Sequence, residues 1–265
     1  MPTPFEVASH VTPLAALRYE AHIPDGWQQG RGAFGGLVLA TLLRAMRHAE
    51  GDARRLPRSL SGDLCAPALV GPATIEVSVL RRGRNLSNLD ARMIQSGDVV
   101  ARASAVFSEA RAVHLDASPD APPAHAHWHA IEPAPVGPPF APVFTQHFAF
   151  RNTGALPFTG HARAETGGFV SEREAPAALD ASAVVGLLDA WWPAVFASAT
   201  QPRAAATTSF TAEFLVDPST LAPAEPLRYR ARAVAARDGF SVEFRELWSG
   251  DTIVALNQQT FALLA

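Results

Sequence analysis

The chain states one arrangement twice. Ser96-Gly97-Asp98-Val99-Val100-Ala101 runs on to Phe107, and Ser249-Gly250-Asp251-Thr252-Ile253-Val254-Ala255 runs on to Phe261 with one residue inserted. Further back, Ser59-Leu60-Ser61-Gly62-Asp63-Leu64 matches Ser209-Phe210-Thr211-Ala212-Glu213-Phe214, and Leu42-Leu43-Arg44-Ala45 matches Leu187-Leu188-Asp189-Ala190. The order helix, strand, strand, hairpin, strand therefore recurs at an offset that drifts from 145 to 154 positions through loop insertions. A duplicated plan of this size constrains the chain to two similar units with closely related cores.

Periodicity gives each unit its elements. From Gly35-Gly36 the chain passes Leu37, Val38, Leu39, Leu42, Leu43 and Met46 with neither Gly nor Pro before Gly51, a helix of about 14 residues. Its first half is apolar on nearly every side and has to be wrapped by other elements. Thr74 to Leu80 alternates, and Asn88 to Ile94 and Val99 to Phe107 continue as strands around a Ser-Gly-Asp turn. The second unit reads as strands at Thr145–Arg151 and Gly167–Glu172 and a helix from Ala181, capped by Asp180, to about Trp192 before Pro193. Strands follow at Thr207–Val216, Leu227–Ala235, Ser241–Trp248 and Thr252–Leu264. The class is α+β, a long helix in each unit against a curved antiparallel sheet. Units of 1–107 and 144–265 are joined by 108–143, rich in Pro, Ala and His and without a period.

Composition narrows the setting. A formal charge of −3 without runs of one sign leaves no electrostatic footprint for nucleic acid or an anionic membrane. No stretch of apolar residues is long enough to span a bilayer, and Met1 to Thr12 lacks a basic region followed by an apolar one, so the cytoplasm is the expected location. The single cysteine, Cys65, forms no internal disulfide and reads as a small core residue. His125, His127 and His129 alternate in the Pro-rich segment without carboxylates at ligand spacing, which reads as a solvated loop rather than a metal site.

Trp27, Gly32 and Gly35-Gly36 opening a buried helix, followed by Leu80-Arg81-Arg82-Gly83-Arg84 and Gln95-Ser96-Gly97, together resemble the acyl-CoA thioesterase II (TesB-type) group across nearly the whole chain. The resemblance implies a double hotdog, two tandem units each with a helix wrapped by an antiparallel sheet, and hydrolysis of acyl-CoA without a cofactor or metal. Hotdog sheets tend to pair edge to edge, so a homodimer is expected. The group's hydrolytic residues fall here on Asp189, on Thr207 or Thr208, and on Gln259, with Gln258 as its alternative. The repeat puts Arg44, Pro57 or Arg58, and about Ala105 at those places in the first unit, so one active site per chain is expected.

The residues support this assignment. Val185, Asp189 and Trp192 share a helix face, which sets the carboxylate on an apolar stripe, where a Thr hydroxyl and a Gln amide are suitable donors. Gln258 and Gln259 are adjacent in a strand, so one of them points inward. Gly35 and Gly36 are candidate oxyanion donors, but they lie in the unit without the trio, so packing is their first reading. Arg81, Arg82 and Arg84 could meet coenzyme A phosphates or form a solvated hairpin, and Phe34, Trp191, Trp192 and Phe196 would set the pocket depth. The alternatives are a noncatalytic acyl-binding protein and a hotdog hydratase or dehydratase. The latter needs a catalytic His, and His147 and His161 both lie before the second helix.

Overall fold

In the computed structural model, which describes residues 1–112 and 126–264, a one-turn helix α1 (Pro4–Ala8) opens the chain. Thr3 and Glu6 cap it reciprocally. Strands β1 (Val11–Ala15), β2 (Arg18–Ile23), β3 (Gln28–Gln29) and β4 (Gly32–Ala33) lead into helix α2 (Gly35–Glu50). Four strands follow it: β5 (Leu56–Leu64), β6 (Gly71–Arg82), β7 (Leu86–Gln95) and β8 (Asp98–Ser108). The second half holds β9 (Phe148–Asn152), β10 (Glu165–Glu172), α3 (Ala181–Ala190), β11 (Ala205–Phe214), β12 (Leu227–Arg237), β13 (Phe240–Ser249) and β14 (Thr252–Leu263).

Twelve strands form one antiparallel sheet in the order β1-β2-β6-β7-β8-β5-β11-β14-β13-β12-β10-β9. Read from either edge, the order visits corresponding elements of the two halves and meets where β5 pairs β11. Register shifts recur as well: Pro57/Ser59 with Thr207/Ser209, Val79/Arg81 with Ala233/Ala235, and Met93/Ile94 with Leu247/Trp248. These matches correct the alignment of the Ser-Gly-Asp triplet. Gln95 pairs Asp98 around Ser96-Gly97, whereas Ser249 pairs Thr252 around Gly250-Asp251, so the triplets are one residue out of step and the strands correspond at 154. Ser96 (φ 51°) and Gly250 (φ 56°) occupy the same left-handed turn position.

Helix α2 ends at Gly51, whose φ of 75° supplies the left-handed cap. It lies against β5 to β8, and against α3. Asp180 caps α3, accepting from the Ala183 N–H at 2.8 Å. Every residue of α3 is buried, and the helix is shorter than expected: Trp191 is already extended, and Pro193 disfavours helical backbone at Trp192, the residue after it. The strand expected from Thr145 begins only at Phe148, after a 3-10 turn over Val143–His147. Cys65 is exposed rather than part of the core, since it follows the end of β5 in a connection anchored by its N–H to the Val100 carbonyl. His127 and His129 stack on each other around a half-buried Trp128, His125 lies outside the described residues, and no metal-ligand cluster occurs among the described ones. No described helix is long and apolar enough to cross a membrane.

One buried carboxyl of the fold has a testable consequence. The Thr3 hydroxyl donates to Glu172 Oε2 at 2.6 Å, while Oε1 has no partner among the described residues. Burial pushes this carboxyl up to about 7 from 4.5, with Glu6 and Asp180 adding to the effect and Thr3 and Arg44 opposing it. Because the folded value is the higher one, the contribution to stability is full below the unfolded value near 4.5 and is lost as pH rises through about 7. Glu172→Gln, a mimic of the neutral acid, is expected to be more stable than wild type by about 1–2 kcal/mol at alkaline pH and nearly equal to it in acid. Urea denaturation at both pH values checks this. An equal effect at both would remove the carboxyl's ionisation as the cause.

Candidate active site

Three elements of the second half converge on one point. Asp189 stands in the last turn of α3, Thr207 near the start of β11 and Gln259 in the middle of β14. Phe210 faces inward opposite Gln259, and simple alternation would turn Thr207 outward. The bulge between Thr207 and Ser209 adds one residue and swings Thr207 back to the inner side. Gln259 Nε2 donates to Asp189 Oδ1 at 2.5 Å and to Thr207 Oγ1 at 2.7 Å. The amide orientation follows from its partner, since a carboxylate only accepts. Thr207 uses its oxygen as acceptor here and keeps its own O–H free to donate.

The fourth contact comes from the first half of the chain. The Gly36 N–H, in the first turn of α2, donates to Asp189 Oδ2 at 2.6 Å. This overturns packing as the sole role of the Gly35-Gly36 entry, because the two repeats share the site. It also explains why glycine stands there: a Cβ on Gly36 would come within 2.5 Å of the Phe34 ring and 2.9 Å of Asp189 Cβ. Phe34 stacks on Phe144 at 4.1 Å and walls this end of the site. The repeat relation is visible in negative as well. Arg44, at the place of Asp189, reaches the start of the other helix and binds the capping carboxylate of Asp180 at 2.6 Å.

The site is buried, with relative exposures of 5 % for Asp189, 8 % for Thr207 and 0 % for Gln259. Burial pushes the Asp189 carboxyl up to about 6 from 3.8; Arg245, Gln259 and the Gly36 N–H hold it back, and Glu243 adds slightly. Arg245 and Glu243 escape the sequence reading. In β13 the apolar Val242 and Phe244 suggest an inward face, yet Phe244 is exposed while the alternate residues Ser241, Glu243, Arg245 and Leu247 are buried. Leu247, in phase with the two charges, was the available signal.

Other candidates lie elsewhere. Thr208 donates to the Thr260 carbonyl, and Gln258 is exposed, so alternation and the bulge choose Thr207 and Gln259. Trp192 stands beyond the end of α3, packed on Trp191 and Phe150 instead of sharing a helix face with Asp189. Trp191 stacks on Tyr229, and Phe196 packs on Phe158. Arg81, Arg82 and Arg84 are exposed, and Arg82 binds Glu50 at the C-terminal end of α2, about 20 Å from Gly36 by helical rise. His147 stacks on Trp27 and contacts the Gly26 carbonyl, and His161 contacts the Arg163 carbonyl, so neither belongs to the trio.

Comparison with known proteins gives the chain a family. Residues 23–108 match the acyl-CoA thioesterase N-terminal domain, and residues 116–263 match the acyl-CoA thioesterase C-terminal domain. The chain belongs to the acyl-CoA thioesterase family. By class it is a thioester hydrolase. A conserved protein of unknown function with a hotdog fold from Alicyclobacillus acidocaldarius is similar over 100% of this chain and 99% of its own, at 26% identity and a TM-score of 0.85. An acyl-CoA thioesterase II, TesB2, from Mycobacterium marinum aligns over 98% and 97% at 17% identity and a TM-score of 0.74, a likeness of fold. No curated protein matches the chain. The thioesterase thus has a hotdog fold with a large antiparallel sheet and few helices.

Proposed function

We propose that this thioesterase hydrolyses acyl-CoA to a free acid and coenzyme A with water activated by Asp189. The observation that carries the reading is the closed hydrogen-bond set of Asp189, Gln259 and Thr207, completed by the Gly36 N–H. Gln259 and Gly36 occupy one oxygen each of the carboxylate and fix its plane. Asp189 accepts a proton from a water that the free Thr207 O–H helps to hold, and the resulting hydroxide adds to the thioester carbonyl. The tetrahedral intermediate then expels the thiolate, which takes up the proton held by Asp189 and restores the base. With the Gly36 N–H committed to the base, the neighbouring Gly35 N–H at the positive end of α2 is assigned to the oxyanion.

The reading extends to architecture. Units of 1–107 and 144–265, joined by 108–143, form a double hotdog with α2 and α3 as the two wrapped helices, supported by the palindromic strand order and the three shared register shifts. Acyl-CoA is the substrate, and a cytoplasmic homodimer is the working form, to be checked by light scattering.

Thiol release from acyl-CoA esters of short, long and aromatic acyl groups tests the activity. Turnover of at least one class is expected, and binding without turnover by any of them would favour the noncatalytic acyl-binding alternative. The pH profile adds a second test. The base works ionised, so kcat/KM is expected to fall about tenfold per unit below a limb near pH 6 and to level off above it. A limb near pH 4, where an exposed carboxylate titrates, would contradict a buried base.

A further inference from the structure

A buried ion pair accompanies the trio and is missing from the repeat that lacks it. Glu243 and Arg245 are both 0 % exposed on the inner face of β13. Glu243 stands directly across from Gln259 in the sheet. At the corresponding place in the first half, Leu89 stands across from Ala105, and Ala91 takes the position of Arg245. The same architecture therefore closes with two apolar residues where the second half buries two charges. Taking two ions out of water costs several kcal/mol each before their attraction is counted, so packing alone is a poor reason for keeping them.

The geometry of the guanidinium points at the base. Arg245 Nε donates to Glu243 Oε1 at 2.6 Å, and Glu243 Oε2 accepts the Ala194 N–H at 2.7 Å. Arg245 Nη1 donates to the Leu188 carbonyl at 2.7 Å, one residue before Asp189, and lies 3.8 Å from Asp189 Oδ1. The rings of Tyr229 and Phe261 flank the guanidinium at 5.9 and 5.1 Å. The groups facing Asp189 are thus Arg245 and Glu243 from β13, Tyr229 from β12, Gln259 from β14, Thr207 from β11 and the Gly36 N–H from α2. Arg245 is the one positive side chain among them, and Tyr229 remains neutral because burial pushes its phenol well above its ordinary value.

We propose that Arg245, clamped by Glu243, is a positioning residue that fixes the last turn of α3 and keeps Asp189 ionised in its buried site, setting the acid limit of catalysis. This rests on Asp189 being the base. A charge 3.8 Å away in the buried interior acts strongly on the carboxylate, whereas the same pair at the surface would be screened. Glu243 takes the better-directed donor of Arg245 and thereby tempers the effect.

The pH profile of kcat/KM for wild type, Glu243→Gln and the double variant Glu243→Gln, Arg245→Met tests the proposal, with circular dichroism to confirm folding. Glu243→Gln removes a negative neighbour, frees Arg245 for Asp189, and is expected to move the acid limb to lower pH by about half a unit. The double variant removes the positive charge without stranding its partner. Its limb is expected to rise by about one unit or more, a tenfold loss of activity in acid with much less loss at alkaline pH. A limb that stays in place in Glu243→Gln, or in a folded double variant, overturns the role of Arg245 even if overall rates fall. If the double variant does not fold, the shift in Glu243→Gln decides alone. Asp189→Asn separates this from failure of the site itself: full activity there would reject the base, whereas its loss together with unmoved limbs rejects only Arg245.

Discussion

Asp189→Asn is expected to lower kcat for acyl-CoA hydrolysis by about 10²–10⁴-fold, the span usually attributable to a positioned general base. The substitution preserves shape and volume, so the packing of α3 is retained. Its amide nitrogen cannot accept a proton, and it must face either the Gly36 N–H or Gln259 Nε2, which now donate at 2.6 and 2.5 Å. One of those donors is left without an acceptor, at a cost of roughly 1–3 kcal/mol. KM should change little, because the carboxylate acts on water rather than on the acyl chain. The limb near pH 6 should vanish from any residual activity. Retention of activity within a factor of three would show that another group activates the water.

Gly36→Ala is expected to damage both stability and turnover although it replaces glycine in a helix. Helix propensity alone favours alanine by about 1 kcal/mol. The new Cβ, however, would lie 2.5 Å from Phe34 Cζ and 2.9 Å from Asp189 Cβ. Phe34 is fully buried and stacked on Phe144, so it has little room to retreat, and an overpacked core costs typically 1–3 kcal/mol. The remaining way to relieve the contact moves α3 and Asp189 away from the Gly36 N–H. A shift near 1 Å is enough to lose about 10²-fold in rate. A lower Tm and a lower kcat in the same variant are the expected result. A stable, fully active Gly36→Ala protein would show that the two helices do not need this approach.

The repeat carried the fold a long way toward legibility. Matching Leu60 with Phe210 places Ala105 at the position of Gln259, and the strand registers agree, since Leu60 pairs Ala105 and Phe210 pairs Gln259. Asp180 as the cap of α3 was equally legible, from its residue type before an apolar run. Errors came where local pattern and global environment disagreed. The Ser-Gly-Asp triplets are one residue out of step because a turn constrains backbone conformation more tightly than identity: Ser and Gly occupy the same left-handed position. Trp192 drops out of the helix because the following proline acts on the residue before it. Cys65 is exposed because it lies just past a strand end, where inward and outward no longer alternate.

The duplicated plan and the alternation of the strands could be read from the sequence alone, since each depends on nearby residues or on the match between two copies, whereas the Asp, the Thr pair and the Gln pair came from the resemblance to the thioesterase group. Only the tertiary structure decided that Thr207 rather than Thr208 faces the carboxylate, because that turns on a bulge between paired strands. It also decided that α2 of the other repeat supplies the Gly36 N–H across 153 positions of chain. The inward course of Glu243 and Arg245 belongs to the same class. Period two divides β13 into two faces, but Val242 and Phe244 make the wrong one look like the core. Which face turns inward is settled by what the opposite elements offer, here the Leu188 carbonyl, the Ala194 N–H and Asp189.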